Sequence, residues 1–185
     1  MKLNSRVAAV CSAFFALAVV VCSSAKAHAD LLVEPFGGYE FGKFKQSGTS
    51  DDISGVNYGA RLGYESLGFM IGGEYALGSL KYTPSGGSNT DLSTTDAGIF
   101  VGYNFPILFR VYGTYYLLSD ASSSSYSSDL KGTGYRVGIG FTGLPFITLA
   151  LEEVSRTYTK QGSSSLSSNV TINDTLLSVT LPLTF

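Results

Sequence analysis

The sequence reads as an all-β chain, an eight-stranded antiparallel up-and-down barrel that crosses a membrane. Three observations lead there: a removable apolar leader, period-two alternation in eight separate stretches, and connections that alternate between short and long. The 185 residues suit one domain. Only 14% of them are charged, and twelve Tyr and twelve Phe are present without a single Trp, so the aromatic surface must come from the smaller rings.

The leader comes first. Lys2 and Arg6 form a basic start, 7–21 is an almost unbroken apolar run, and small residues end in Ala27-His28-Ala29. That order is a secretory signal peptide, with Ala27 and Ala29 as the small residues of the cleavage site. The run is shorter than the roughly 20 residues a helical membrane span needs. Residues 1–29 are therefore expected to be removed, leaving 30–185 as the barrel domain. A lipid anchor at Cys22 is disfavoured because Val21 stands where a small residue is wanted. Cleavage removes Cys11, Cys22 and His28, which excludes a disulfide framework and thiol or imidazole metal sites. It also removes Lys2, Arg6 and Lys26, taking the formal charge from −2 to −5. No concentrated basic surface remains, so nucleic acid is not an expected partner.

The strands follow in order. The first, about 31–42, sets Val33, Pro35, Tyr39 and Phe41 against Glu34, Phe36, Gly38 and Glu40. The second alternates Val56, Tyr58, Ala60, Leu62 and Tyr64 with Asn57, Gly59, Arg61, Gly63 and Glu65. In the third, Phe69, Ile71, Gly73, Tyr75 and Leu77 oppose Met70, Gly72, Glu74, Ala76 and Gly78. The fourth places Ala97, Ile99, Val101 and Tyr103 against Asp96, Gly98, Phe100 and Gly102. A fifth, about 107–118, carries Phe109, Val111, Tyr115 and Leu117 opposite Arg110, Tyr112, Thr114 and Tyr116. The sixth alternates Tyr135, Val137, Ile139 and Phe141 with Gly134, Arg136, Gly138 and Gly140. In the seventh, Ile147, Leu149 and Leu151 share a face, but the alternation slips at Glu152-Glu153-Val154, and a bulge or an early exit from the lipid is expected there. The eighth closes the chain with Leu177, Val179, Leu181, Leu183 and Phe185 on one face.

Three connections are tight: Ser66-Leu67-Gly68, Asn104-Phe105-Pro106 and Gly143-Leu144-Pro145. The four between them, at 43–54, 81–92, 119–131 and 160–169, are longer and polar and are read as loops. Both chain ends then fall on the short-turn side.

The apolar face must point outward. One face is nearly continuous Val, Ile, Leu, Phe and Tyr, while the other combines Gly with Glu34, Arg61, Glu74, Asp96, Arg110, Arg136 and Glu152. Charge at a bilayer midplane costs several kcal/mol, whereas an interior holds charges that pair and hydrogen-bond. A soluble barrel would show the reverse.

The terminal stripe Leu177, Val179, Leu181, Leu183 and Phe185 resembles the signal by which outer-membrane barrels are recognised by their insertion machinery. With the leader and the loop pattern, residues 31–185 resemble the small OmpA/OmpX-type barrels of Gram-negative outer membranes. The chain departs from OmpA in having no periplasmic peptidoglycan-binding domain, and from OmpX in its modest, polar loops. The resemblance implies a monomer with outer-membrane lipid and lipopolysaccharide as surroundings, and Tyr and Phe near strand ends as girdle residues in place of Trp.

Function is read more coarsely. Enzymes of this architecture that act on lipid A resemble hydrolases needing a histidine beside a serine, and 30–185 contains no histidine. No cofactor or metal is expected, and the protein reads as a non-enzyme. The leading reading is a structural or interaction barrel that stiffens the outer membrane and presents four short polar loops, its lumen charges a plug, with a gated narrow ion or solute channel as the rival and a lipid- or small-hydrophobe-binding barrel as the third reading. Lys43, Lys45, Lys81, Lys131 and Lys160 mark the outer strand ends and are candidates for lipopolysaccharide phosphates. The serine tips and Asp51-Asp52 name no surface ligand.

Overall fold

The computed structural model describes residues 29–46, 48–83, 89–123 and 129–185. Residues 1–28, expected from the sequence to be a leader, lie outside the described residues, and so does part of the serine tip at 122–125. The strands are β1 Asp30–Gln46, β2 Thr49–Ser66, β3 Phe69–Thr83, β4 Thr90–Asn104, β5 Phe109–Ser123, β6 Leu130–Phe141, β7 Thr148–Gln161, β8 Ser164–Thr180 and the short β9 Leu183–Thr184. From β1 to β8 each pairs antiparallel with the next, and β8 pairs with β1, so the sheet closes on itself, while β9 pairs with β1. β9 continues β8 beyond Pro182, which has no N–H to give. The Leu181 amide still donates to the Pro35 carbonyl, and Phe185 exchanges two backbone bonds with Leu31. Eight walls therefore enclose the lumen.

Closure fixes the stagger. From Phe41 on β1, register partners run through Thr175, Glu153, Val137, Gly113, Val101, Ile71 and Tyr64 and return to β1 at Leu31, ten residues below the start. Ten residues of stagger over eight strands correspond to strands tilted by about 40°. A row of partners then changes height by about 1.25 residues per strand. On that pitch Tyr39, Tyr58, Tyr75, Tyr115 and Tyr135 share one level on the outer wall, all outward-facing, and Glu153 stands among them. This is the upper aromatic girdle, where an apolar ring with a polar tip is at home. Phe69, Tyr103, Phe105, Phe109 and Phe141 form the lower one, with Phe69 and Tyr103 ring centroids 4.6 Å apart and Phe109 and Phe141 5.7 Å apart.

Two expectations need correcting. The segments read as loops are in large part strand: β1 runs on to Gln46 and β2 begins at Thr49, just after a turn residue at Gly48, and β7 and β8 meet across a turn at 162–163. Of the two readings of Glu152-Glu153-Val154, the bulge is absent, because β7 pairs there in unbroken register with Leu176, Thr175 and Asp174. The irregularities lie elsewhere. Leu117 and Leu118 form a bulge on β5 that puts both on the outer face, and Thr159 is the extra residue on β7.

Above the upper girdle the faces exchange roles. On β1 the outward residues change from Tyr39 and Phe41 to Lys43 and Lys45, while Phe44 turns in. Ile53, Leu80, Leu92, Leu130, Tyr158, Val170 and Ile172 do the same on their strands and pack with Phe44 and Ala121 into one apolar cluster. The membrane-spanning part is apolar outside and charged inside. The part above is an ordinary water-facing barrel with an apolar core, a crown built from the same eight strands.

The candidate functional site in the lumen and at the rim

The lumen is filled in tiers. Leu32, Met70 and Phe100 pack together at the periplasmic end. Above them Arg61 reaches three carboxylates on three strands: Glu34 at 2.6 Å, Glu74 at 2.7 Å and Glu152 at 3.2 Å. Arg110 shares Glu34 with it. Arg136 lies 3.3 Å from Glu74 and 3.2 Å from Glu152, and donates to the Asn57 carbonyl oxygen at 2.9 Å. Neutral hydroxyls complete the carboxylates, from Thr114 and Tyr116 onto Glu74 and from Tyr112 and Ser178 onto Glu152. Phe36 sits between two guanidiniums, with Arg61 4.7 Å and Arg136 4.8 Å from its ring centre.

Three arginines and three glutamates balance in this tier, which makes so many buried charges tolerable. Glycine makes the room. A Cβ on Gly138 would lie 2.7 Å from the Tyr112 ring, and one on Gly140 would lie 2.9 Å from the Arg110 stem.

A second charged tier stands above Tyr116, Val154 and Leu176. Arg156 donates from Nε to Asp96 at 2.8 Å and from Nη1 to Asp174 at 3.1 Å, and also pairs with Glu40. The Asp96 carboxylate accepts a further bond from Ser119 at 2.6 Å. The apolar crown cluster lies over this tier.

Of the seven residues read as lumen charges, Glu34, Arg61, Glu74, Arg110, Arg136 and Glu152 come together in the lower tier, and Asp96 belongs to the upper one. Sequence reading missed Glu40, Arg156 and Asp174. The parity of β1 already put Glu40 on the inner face. Arg156 lay beyond the supposed slip in β7, and Asp174 lay just before the point from which strand eight was traced.

At the rim Lys43, Lys45, Lys81, Lys131 and Lys160 are all exposed and face outward. On the barrel's pitch they occupy one tier, roughly 10–15 Å above the tyrosine ring. Lys43 pairs with Asp52 at 2.6 Å, Lys81 lies across from Asp91, and Lys45 lies across from Ser50 and Thr171. Lys131 stands between Asp120 and Lys160. On the outer wall, a groove of about 620 Å³ runs past Val111, Val137, Ile139, Leu151, Glu153 and Thr175. The terminal residues Leu177, Val179, Leu181, Leu183 and Phe185 are exposed on the same outer surface.

The profile of the outer membrane protein beta-barrel domain family matches residues 13–181. The chain belongs to that family. Its place is the outer membrane of a Gram-negative bacterium, which agrees with the apolar outer wall and two girdles. No curated protein sequence matches it. Two solved structures show the same fold at low identity. The Neisserial surface protein A is 18% identical with a TM-score of 0.55, over 82% of this chain and 96% of that one. The attachment invasion locus protein of Yersinia pestis, solved with the heparin analogue sucrose octasulfate, is 14% identical with a TM-score of 0.56, over 83% and 99%. What distinguishes this outer membrane barrel must be sought in its own lumen, crown and rim.

Proposed function

We propose that the protein is a non-conducting, non-catalytic barrel that stiffens the outer membrane and holds a closed crown clear of it as a contact surface. The filled lumen carries this reading. Arg61, Arg110, Arg136 and Arg156 are each at most 1% exposed, and both charged tiers lie beneath the apolar cluster of the crown. An ion passing through would have to part buried arginine–carboxylate sets and then cross an apolar constriction, each of which raises a barrier. The absence of histidine and cysteine from 30–185 supports the non-catalytic part.

Contact with lipopolysaccharide phosphates belongs to the same proposal. Lys131 and Lys160 are exposed register partners, and like charges directly opposite one another repel. A phosphate between them removes that penalty and gains two charge-assisted bonds. The stripe ending in Phe185 is the proposed handle for the insertion machinery.

Single-channel recording of the refolded barrel in a planar bilayer tests the reading, beside an Arg136→Ala variant. The wild type is expected to be silent, with any openings confined to the variant. Steady wild-type openings that change in the variant would replace this proposal with a channel gated by the arginine tier.

A further inference from the structure

Among the described residues, glycine takes the left-handed region at both ends of the barrel, Gly48 at φ 87° and Gly162 at φ 60° on the crown side and Gly68 at φ 84° on the periplasmic side. Each of the three periplasmic turns puts a large apolar residue there, Leu67 at φ 52°, Leu108 at φ 66° and Phe146 at φ 66°. That region is costly for a side chain with a Cβ and is the natural place for glycine. The same three side chains are exposed, at 56%, 54% and 85%, and Ile107 beside them is 69% exposed. Strain and exposure are thus borne together at three separate positions.

The surroundings indicate what meets them. Residues 66–69, 104–109 and 141–148 contain no Asp, Glu, Lys or Arg, whereas the rim at the opposite end is lined with lysine and aspartate. The turns also continue the lower girdle without a break. Phe105, in the second turn, packs edge-on against Tyr103 at 4.8 Å, which packs in turn against Phe69. The third turn leaves β6 directly after Phe141, the partner of Phe109. An uncharged apolar rim in continuity with a lipid-facing wall fits lipid better than water.

We infer that Leu67, Leu108 and Phe146, with Ile107, are sunk into the inner-leaflet phospholipid as anchors, so that the turns form the lowest ring of the membrane-embedded surface. The left-handed backbone turns these side chains away from the barrel axis, and apolar burial offsets its cost. The anchors set the vertical position of the barrel and thereby raise the crown and its lysine tier from the opposite leaflet.

The chain has no tryptophan, so single tryptophans report depth without background. Leu108→Trp and Phe146→Trp keep a large side chain at the same backbone position. Ile107→Trp serves as a third reporter outside the left-handed region. Each full-length barrel is reconstituted in phospholipid vesicles, and its fold is checked by heat-modifiable migration. Anchored turns predict blue-shifted emission and quenching by brominated acyl chains at least roughly twofold stronger than by aqueous acrylamide. Emission like that of free tryptophan, with strong acrylamide quenching and indifference to brominated lipid, would overturn the inference and make the ring a docking face for a periplasmic protein.

Discussion

Arg61 contacts carboxylates from β1, β3 and β7, so one side chain ties together walls far apart in sequence. Removing it would leave Glu34, Glu74 and Glu152 without part of their compensation, with no bulk water to take its place. The expected cost of Arg61→Met is about 3–5 kcal/mol, read as a lowered unfolding midpoint in urea with the barrel in lipid. Lys43 makes an ion pair of similar length with Asp52, but the two side chains are 51% and 75% exposed. Water and salt screen that pair, and Lys43→Ala should cost at most about 1 kcal/mol in the same assay. Equal losses from the two substitutions would mean that the lumen is wet.

At the scale of a strand, the behaviour of β1 and β7 has one cause. A strand that passes from lipid into water within a closed barrel must reverse which face is apolar, while its hydrogen bonds continue unchanged. On β1 the reversal falls between Phe41 and Phe44. On β7 it falls lower, where Glu153 faces out among the girdle tyrosines and Val154 faces in against Tyr116 and Leu176. In the sequence this exchange looks like a slipped register, which is why a bulge was expected where the ladder is continuous. The same exchange made the crown halves of the strands look like loops, since polar residues face outward there and each contributes only one or two apolar residues inward. The second, third, fourth and sixth strands were readable because long runs of each lie within the lipid and keep one parity. The lower charge tier was readable from those runs, whereas the upper tier depended on following parity through the exchange. Substitutions on β1 check this account directly. Phe44→Ala, inside the crown, should cost about 3–5 kcal/mol, because it leaves a cavity among buried neighbours. Phe41→Ala, facing out at the upper edge of the lipid band, should cost clearly less. The reverse order in urea unfolding would place the exchange elsewhere.

Taken whole, the molecule is one cylinder in two solvents. A uniform wall of eight strands with a stagger of ten carries a charged interior where lipid surrounds it and an apolar interior where water does. On the proposed reading both halves are sealed, by ion pairs below and by side-chain packing above. If the turns on the periplasmic side are anchored in the inner leaflet, the crown becomes a fixed platform whose lysine tier meets the outer leaflet at a set height. Because 30–185 contains no cysteine, accessibility can be read one position at a time. Lys43→Cys and Lys131→Cys place a thiol on the outside of the crown, and Phe44→Cys and Leu130→Cys place it inside. Labelling of intact cells with a membrane-impermeant maleimide should modify the first two readily, and the second two more slowly by on the order of a hundredfold. Comparable labelling at positions 44 and 130 would mean that the outer mouth is open and would contradict the sealed crown.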